Sequence, residues 1–466
     1  MNLKTLHSVY FLGIGGIGMS AIARWFAHMG IPVMGYDRTE SPLTAQLIAE
    51  GIQVHYEDSM ETIPMEVKED QNNTLIVWTP AIPADSIQLN YFRNEGYMLK
   101  KRAEVLGMIT KGLMTIAVAG THGKTSTSSL IAHLLKSAGM NVAAFLGGIT
   151  QNYESNLILH DETKEEDPVV VVEADEYDRS FLQLHPNIGV VTSVDPDHLD
   201  IYGDHQELTR NFAAFIDLID KNGSLLIEKK ALNALKGTNF GSLRIEEYSL
   251  RESSIHAANI KSGIRSFGFD YVNDNQRIEK LSLYVPGFHN VENALAAVSV
   301  ALQLGISEED IRAGLESYKG VKRRFEIRYQ GEDKVYIDDY AHHPEEIKAF
   351  LGSVKAMYPS QKLTAIFQPH LFSRTRDFAA DFSSSLSLAD DVVLMDIYPA
   401  REKPIEGVNA EMLLEGITSG IKSVQKREDL VAYLEKNAPE ILVTIGAGDI
   451  DRMVEPITKW IKAHGD

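Results

Sequence analysis

The chain has 466 residues, 44% hydrophobic and 24% charged, with a formal net charge of −20 and no cysteine. That length exceeds what a single hydrophobic core sustains, so two to four domains are expected. The acidic balance argues against a broad nucleic-acid-binding face, and the lack of cysteine excludes disulfides, thiolate metal sites and cysteine nucleophiles.

The opening residues lack the apolar core and cleavage pattern of a secretory leader. No apolar run approaches the ~18–20 residues needed to cross a bilayer, so a cytoplasmic protein without membrane insertion is expected. Val9–Leu12 is the first strand candidate and runs into Gly13-Ile14-Gly15-Gly16-Ile17-Gly18, a G-x-G-x-x-G turn that opens a helix. Glycines there let backbone N–H groups approach a diphosphate at the positive end of the helix. A second short strand, Pro32–Tyr36, ends at Asp37, where an acid that reaches a ribose belongs. Alone, this turn is compatible with a nicotinamide dinucleotide, with a UDP-sugar or other diphosphate, and with a tight structural turn. Trp25 and Trp78, the latter ending the strand Leu75–Trp78, read as core residues rather than ligand platforms. A first domain boundary is expected near Arg102–Gly112.

The strand Thr115–Ala119 leads into Gly120-Thr121-His122-Gly123-Lys124-Thr125-Ser126. Successive N–H groups in such a loop form an anion nest, the lysine reaches terminal phosphates, and the threonine hydroxyl can ligate Mg²⁺. Val118 stands where a standard phosphate loop has its first glycine, so the loop is a shorter variant. Tyr153–Asp167 reads as a surface loop, with Glu165-Glu166-Asp167 solvated. Val169–Val172 is a buried strand ending at Glu173, where a Mg²⁺-anchoring acid sits, with Asp175 and Glu176 either supporting it or structural. Ile188–Thr192 precedes Asp195, Asp197, His198 and Asp200. Mg²⁺ prefers oxygen ligands, so His198 reads equally as a ligand or as a structural hydrogen-bonder. Leu235–Asn275 is expected as an irregular β-rich insertion and Glu308–Tyr318 as a helix, with a second boundary at Tyr318–Lys322. Val335–Ile337, Thr364–Phe367, Val392–Met395 and Leu442–Ile445 complete the strands, the last entering a third glycine turn, Gly446–Asp449. Alternating strands and amphipathic helices imply βαβ units and mostly parallel sheets. Three α/β domains in series are expected, over residues 1–107, 108–320 and 321–466.

Together, Gly120–Thr125, Glu173–Glu176, Asp197-His198, His289-Asn290 with Asn293, and Arg323-Arg324-Phe325-Glu326 resemble the Mur ligases, and the resemblance runs essentially end to end. It implies an N-terminal Rossmann-like UDP-sugar domain, a central P-loop-type ATPase domain and a C-terminal Rossmann-like domain that brings an amino acid. Under it the first glycine turn takes UDP rather than a nicotinamide dinucleotide, through Gly13, Gly15, Gly16, Gly18 and Asp37. ATP falls to Gly120, Thr121, His122, Gly123, Lys124, Thr125 and Ser126, with His289, Asn290, Asn293, Arg324 and Asp339. Mg²⁺ falls to Thr125, Glu173 and His198, and the amino acid to Tyr340, His342, His370 and Arg374. Lys124, Glu173, His198 and His342 are the implied catalytic set.

Within the family, Gly13–Ser20, Asp338–Pro344 and Phe367–His370 are most similar to members that join L-alanine to UDP-N-acetylmuramate, and Gly446–Ile450 agrees. The implied partners are UDP-N-acetylmuramate, L-alanine and ATP, in an ADP-forming ligation through an acyl phosphate that serves peptidoglycan precursor synthesis. A monomer or homodimer is expected. Two departures stand out. Relatives commonly carry arginine after the position of His370, and here it is Leu371, leaving Arg374 and Arg376 to supply positive charge. Several Mur ligases carry a carbamylated lysine beyond the metal histidine, and Leu199–Asp220 contains no lysine, so none is expected. His342 could accept the amine's proton, or simply contact phosphate or support the fold. Three rival readings are carried. The first is a family member that attaches a recycled tripeptide, whose relatives have Arg-Ser in place of His370-Leu371. The second is an NAD-dependent oxidoreductase, which leaves Gly120–Thr125 and Glu173 without a purpose. The third is a nucleotide-binding switch without catalysis.

Overall fold

A computed structural model describes residues 3–195, 205–400 and 402–464. They form two compact units, one of residues up to His256 with Asn293–Gly314, the other of Ala257–Glu292 with residues from Leu315 onward.

The first unit holds two sheets. Strands β1 (Ser8–Leu12), β2 (Val33–Tyr36), β3 (Gln53–His55), β4 (Thr74–Trp78) and β5 (Met98–Lys101) pair in parallel in the order β3-β2-β1-β4-β5. In β1, Val9 and Phe11 enter one core cluster while Tyr10 and Leu12 enter another on the opposite face. That explains why the strand is apolar throughout instead of alternating: a parallel strand covered on both sides has no wet face. The chain leaves β1 towards β2 on one side, and β4 lies on the other, so the order reverses beside the Gly13–Gly18 turn. Ligands of doubly wound sheets bind at such a reversal, outside the carboxyl ends of the strands.

The second sheet contains β6 (Thr115–Ala119), β7 (Val142–Thr150), β8 (Ser155–Ile158), β9 (Val169–Glu173), β10 (Ile188–Val191), β11 (Ser224–Glu228) and β12 (Arg244–Ser249). Within it β6 is central, between β10 and β9, and all pairs are parallel except β7 with β8. β13 (Ile255–Ser262) carries the chain from the first unit to the second, where β14 (Phe267–Val272) and β15 (Arg277–Leu283) form an antiparallel pair. The irregular insertion expected over Leu235–Asn275 is therefore ordered strand for much of its length.

The expected surface loop Tyr153–Asp167 needs correction. Residues 161–167 are exposed, the acidic run included, but Ser155–Ile158 is a strand whose Asn156, Leu157 and Ile158 are buried. The helix Ile17–His28 covers it: Asn156 donates to the Ile17 carbonyl and to Ser20 Oγ, and accepts from Arg24 Nη1 at 2.7 Å. A polar strand buried by a helix far away in sequence has no local signature.

The second unit also holds β16 (Glu326–Gln330), β17 (Val335–Asp339), β18 (Leu363–Phe367), β19 (Asp391–Leu394), β20 (Ile421–Val424) and β21 (Ile441–Ile445). Their order is β16-β17-β21-β18-β19-β20, parallel apart from β16. The carboxyl ends of β17, β21 and β18 lie side by side, which gathers Asp339, Gly446 and Gln368: Gly446 N donates to the Asp339 carbonyl at 3.1 Å and Gln368 N to the Ile445 carbonyl at 3.0 Å.

Candidate active site

Three turns at strand ends carry the chemistry. After β1, Gly13 adopts φ +87°, which a side chain would strain. Asp37, expected to reach a ribose, directly follows β2 and binds the turn itself: Gly15 N donates to Asp37 Oδ2 at 2.8 Å, and Thr39 N donates to Oδ1 at 3.1 Å. Trp25 and Trp78 are partly buried against the two core clusters, matching their reading as core.

After β6, the loop Gly120–Gly123 is strapped to the segment following β10. Thr121 N donates to the Ser193 carbonyl at 3.2 Å, His122 N donates to Ser193 Oγ at 2.7 Å, and Thr192 Oγ1 donates to the Ala119 carbonyl at 3.2 Å and to the His122 carbonyl. This packing dictates the glycines. A Cβ on Gly120 would lie 2.0 Å from Thr192 Oγ1, and one on Gly123, at φ +80°, would lie 2.9 Å from Asn293 Oδ1. Thr192 and Ser193 were missed as site residues. A strand adjacent to the phosphate-loop strand is the signal that could have found them.

Lys124 opens the helix Lys124–Ser137, with Thr125 buried behind it. The Lys124 ammonium donates to the Gly120 carbonyl at 2.5 Å and lies 2.9 and 2.7 Å from the two carboxylate oxygens of Glu176, which is fully buried. Burial disfavours the charged amine, but Glu176, Asp175 and Glu173 outweigh it and hold Lys124 above the usual lysine value. Glu173 ends β9 in register with Val118 of β6, and its Oε2 accepts from Gly147 N at 3.0 Å. A Cβ on Gly147 would fall 2.2 Å from Glu173 Oε1, so that glycine makes room for the carboxylate. This oxygen-rich end of the sheet suits a hard cation such as Mg²⁺, to which Glu173 and Thr125 could each offer an oxygen. His198 lies outside the described residues. Among the described residues no group of three or more His, Asp or Glu could hold a metal ion.

In the second unit, Asp339 is buried and its carboxylate accepts from Phe325 N and Ala341 N, each at 2.7 Å. Burial pushes its pKa up to about 6, against the opposing pull of Arg324 and those two amides. The Arg324 guanidinium lies 5.0 Å from the Tyr340 ring centre and 3.7 Å from Glu346 Oε1. Tyr340, His342, His370 and Tyr398 follow as a ladder of rings, with successive centroids 5.5, 6.1 and 5.8 Å apart. Glu346 also accepts from His342 N at 2.9 Å, and from His343 N at 3.3 Å in the capping box that starts the helix Pro344–Met357. His289 stands within 6.0 Å of the Phe325 ring, with its Nδ1 buried and unpartnered, and burial lowers its pKa to about 4. Asn290 donates to the Pro286 carbonyl at 2.7 Å. Arg374 is buried on the helix Phe372–Asp377, and Leu371 caps that helix at φ +70°. Thus Arg324, Asp339, Tyr340, His342 and His370 share one strand-end region of the second unit. Lys124, Thr125, Glu173 and Asn293 belong to the first.

Three family models match the chain in order: "Mur ligase family, catalytic domain" over residues 8–113, "Mur ligase middle domain" over 118–301, and "Mur ligase, glutamate ligase domain" over 323–448. The chain belongs to the Mur ligase family. Among curated relatives, a UDP-N-acetylmuramate–L-alanine ligase of Cytophaga hutchinsonii is 48% identical, with both chains covered in full. One of Flavobacterium psychrophilum is also 48% identical, over 98% of this chain and 99% of the relative. Among solved structures, the UDP-N-acetylmuramate–alanine ligase of Thermotoga maritima superposes with a TM-score of 0.80 at 26% identity, over 98% and 99% of the two chains. A murein peptide ligase of Psychrobacter arcticus gives a TM-score of 0.69 at 22% identity, a likeness of fold. Among the described residues no helix is long and apolar enough to cross a membrane.

Proposed function

We propose that this chain joins L-alanine to the carboxylate of UDP-N-acetylmuramate, converting ATP to ADP and phosphate, in peptidoglycan precursor synthesis. The observation that carries the reading is the Gly120–Thr125 loop at the end of the central strand β6, with Lys124 set among three carboxylates. It stands in the same unit as a second glycine turn suited to a diphosphate. We assign residues 1–107 to the UDP-sugar, 108–320 to ATP and 321–466 to the amino acid. The protein acts in the cytoplasm, as a monomer or homodimer.

A carboxylate resists amines because it is anionic and resonance-stabilised. In the first step its oxygen attacks the γ-phosphorus, ADP departs, and an acyl phosphate forms. Lys124 meets the γ-phosphoryl charge by turning N–H bonds from Gly120 O and Glu176 towards it, and the loop amides hold the phosphates in line. Thr125 and Glu173, with His198, would hold Mg²⁺, which would supply charge neutralisation on the phosphates. In the second step the alanine nitrogen attacks the acyl carbon, phosphate leaves, and one proton is lost. His342 is the residue assigned to take that proton, its ring held by Nδ1 at 3.1 Å from the Tyr340 carbonyl and 3.5 Å from Glu346 Oε2. Tyr340, His370 and Arg374 hold the amino acid.

The test is ADP release with UDP-N-acetylmuramate across a panel of amino acids and the tripeptide. Release that requires both the sugar nucleotide and L-alanine is the expected result. Turnover of the tripeptide alone would reassign the chain to murein recycling.

A further inference from the structure

Arg102 has no role in the chemistry above. It directly follows β5, so the parallel topology brings it to the same edge of the first sheet as the turn after β1. There its side chain lies against the third glycine of that turn. A Cβ on Gly18 would sit 2.7 Å from Arg102 Nη1 and 3.3 Å from its Cζ, so the guanidinium fills the space that a side chain would occupy. Its Nη2 stands 3.6 Å from Asp175 Oδ2, and the arginine side chain keeps 22% of its exposure. That separation is long for a charged hydrogen bond, so Asp175 does not saturate the guanidinium.

The turn needs a cation. Asp37 occupies the Gly15 amide and adds a negative charge at the place where a diphosphate would bind. The helix Ile17–His28 starts at Gly16, which gives no side-chain cap. A helix terminus offers only about half a positive charge, less than Asp37 and two phosphates bring.

We propose that Arg102 binds the diphosphate of the sugar nucleotide, completing the glycine turn with a guanidinium; this rests on the UDP-sugar reading of the turn. The partner chemistry is a nucleoside diphosphate, and Asp175 is the counter-ion that Arg102 leaves when the ligand arrives.

The experiment measures UDP and UDP-N-acetylmuramate binding to the full chain by calorimetry without ATP, together with the KM values, for wild type, Arg102→Gln, Arg102→Lys and Asp175→Asn. Wild-type affinity for UDP-N-acetylmuramate checks the underlying reading independently, since its absence would remove the ligand itself. With that affinity present, Arg102→Gln weakens UDP and UDP-N-acetylmuramate alike by about 10–100-fold, the range of a charge-assisted hydrogen bond. The KM for ATP stays within about twofold, Arg102→Lys falls between, and Asp175→Asn leaves sugar-nucleotide affinity unchanged or tighter. Wild-type affinity in Arg102→Gln overturns the proposal, as does an equal loss in Asp175→Asn, which would make the arginine a structural ion-pair partner. A loss for UDP-N-acetylmuramate with UDP unaffected also overturns it, moving the contact to the sugar acid. Should Arg102→Gln fail to fold, Arg102→Lys decides: a loss of about threefold or more supports the contact, and none refutes it.

Discussion

Replacing Lys124 with alanine withdraws the ammonium that faces both oxygens of a fully buried Glu176. Breaking a buried ion pair by deleting one partner costs about 3–5 kcal/mol, because the remaining charge must either stay desolvated or bind a proton. The Lys124 side chain keeps 12% of its exposure, so water can reach the vacated position and the lower end, about 3 kcal/mol, is expected. The double variant Lys124→Met, Glu176→Gln removes both charges at similar volume and should return to within about 1 kcal/mol of wild type. Neither variant should release ADP, since the γ-phosphoryl group loses its cation in both. Urea unfolding followed by tryptophan fluorescence reads the first unit through Trp25 and Trp78, with the Trp460→Phe background removing the second unit's signal. A single variant destabilised by less than about 1 kcal/mol, or a double variant no more stable than the single, would refute the ion-pair argument. Turnover by a folded Lys124→Ala protein would refute the phosphate role.

Gly120→Ala sets a Cβ 2.0 Å from Thr192 Oγ1 at φ +145°; displacement of the phosphate loop should reduce ADP release by about 100-fold or more, with a stability loss of about 1–3 kcal/mol on thermal unfolding. Asp339 has a folded pKa of about 6, above the ordinary 3.8, so the stability it contributes is fully present below about pH 4 and is lost as pH rises through 6. The stability deficit of Asp339→Asn, measured by denaturant unfolding, should therefore be largest at acidic pH and shrink between about pH 4 and 7; a deficit flat with pH would contradict the burial. Leu371 sits at φ +70°, where only glycine is at ease, so Leu371→Gly should stabilise the protein by about 1 kcal/mol and leave the KM for L-alanine within about twofold. A large rise in that KM would make the Leu371 side chain part of the amino-acid pocket.

Ten strands announced in the sequence, from Val9–Leu12 to Leu442–Ile445, form where expected to within a residue or two, because buried parallel strands are continuous apolar runs and need no partner to be recognised. The glycine loops were legible for a related reason. Gly13, Gly120 and Gly123 hold backbone angles in which side chains strain, so the residue type itself records the conformation. Glu173 and Asp37 were read from their places at strand ends and Lys124 from the start of the helix after the loop, and they stand there.

Tertiary structure decided who meets whom. Nothing near Asn156 foretells its burial, because the helix that covers it is more than a hundred residues away in sequence. Glu176 shared a run with Glu173 and Asp175, and folding singled it out by placing it against Lys124 with no exposure to water. Arg102 read as a domain boundary until the order β3-β2-β1-β4-β5 set the end of β5 beside the glycine turn. The sequence by itself determined the apolar parallel strands and the phosphate-ready loops, since each follows from backbone preference or spacing within a few residues, and its motifs taken together carried the resemblance to the family. The packing determined which charges face one another, because a pair's energy depends on burial and distance, and both arise only when remote segments close on each other.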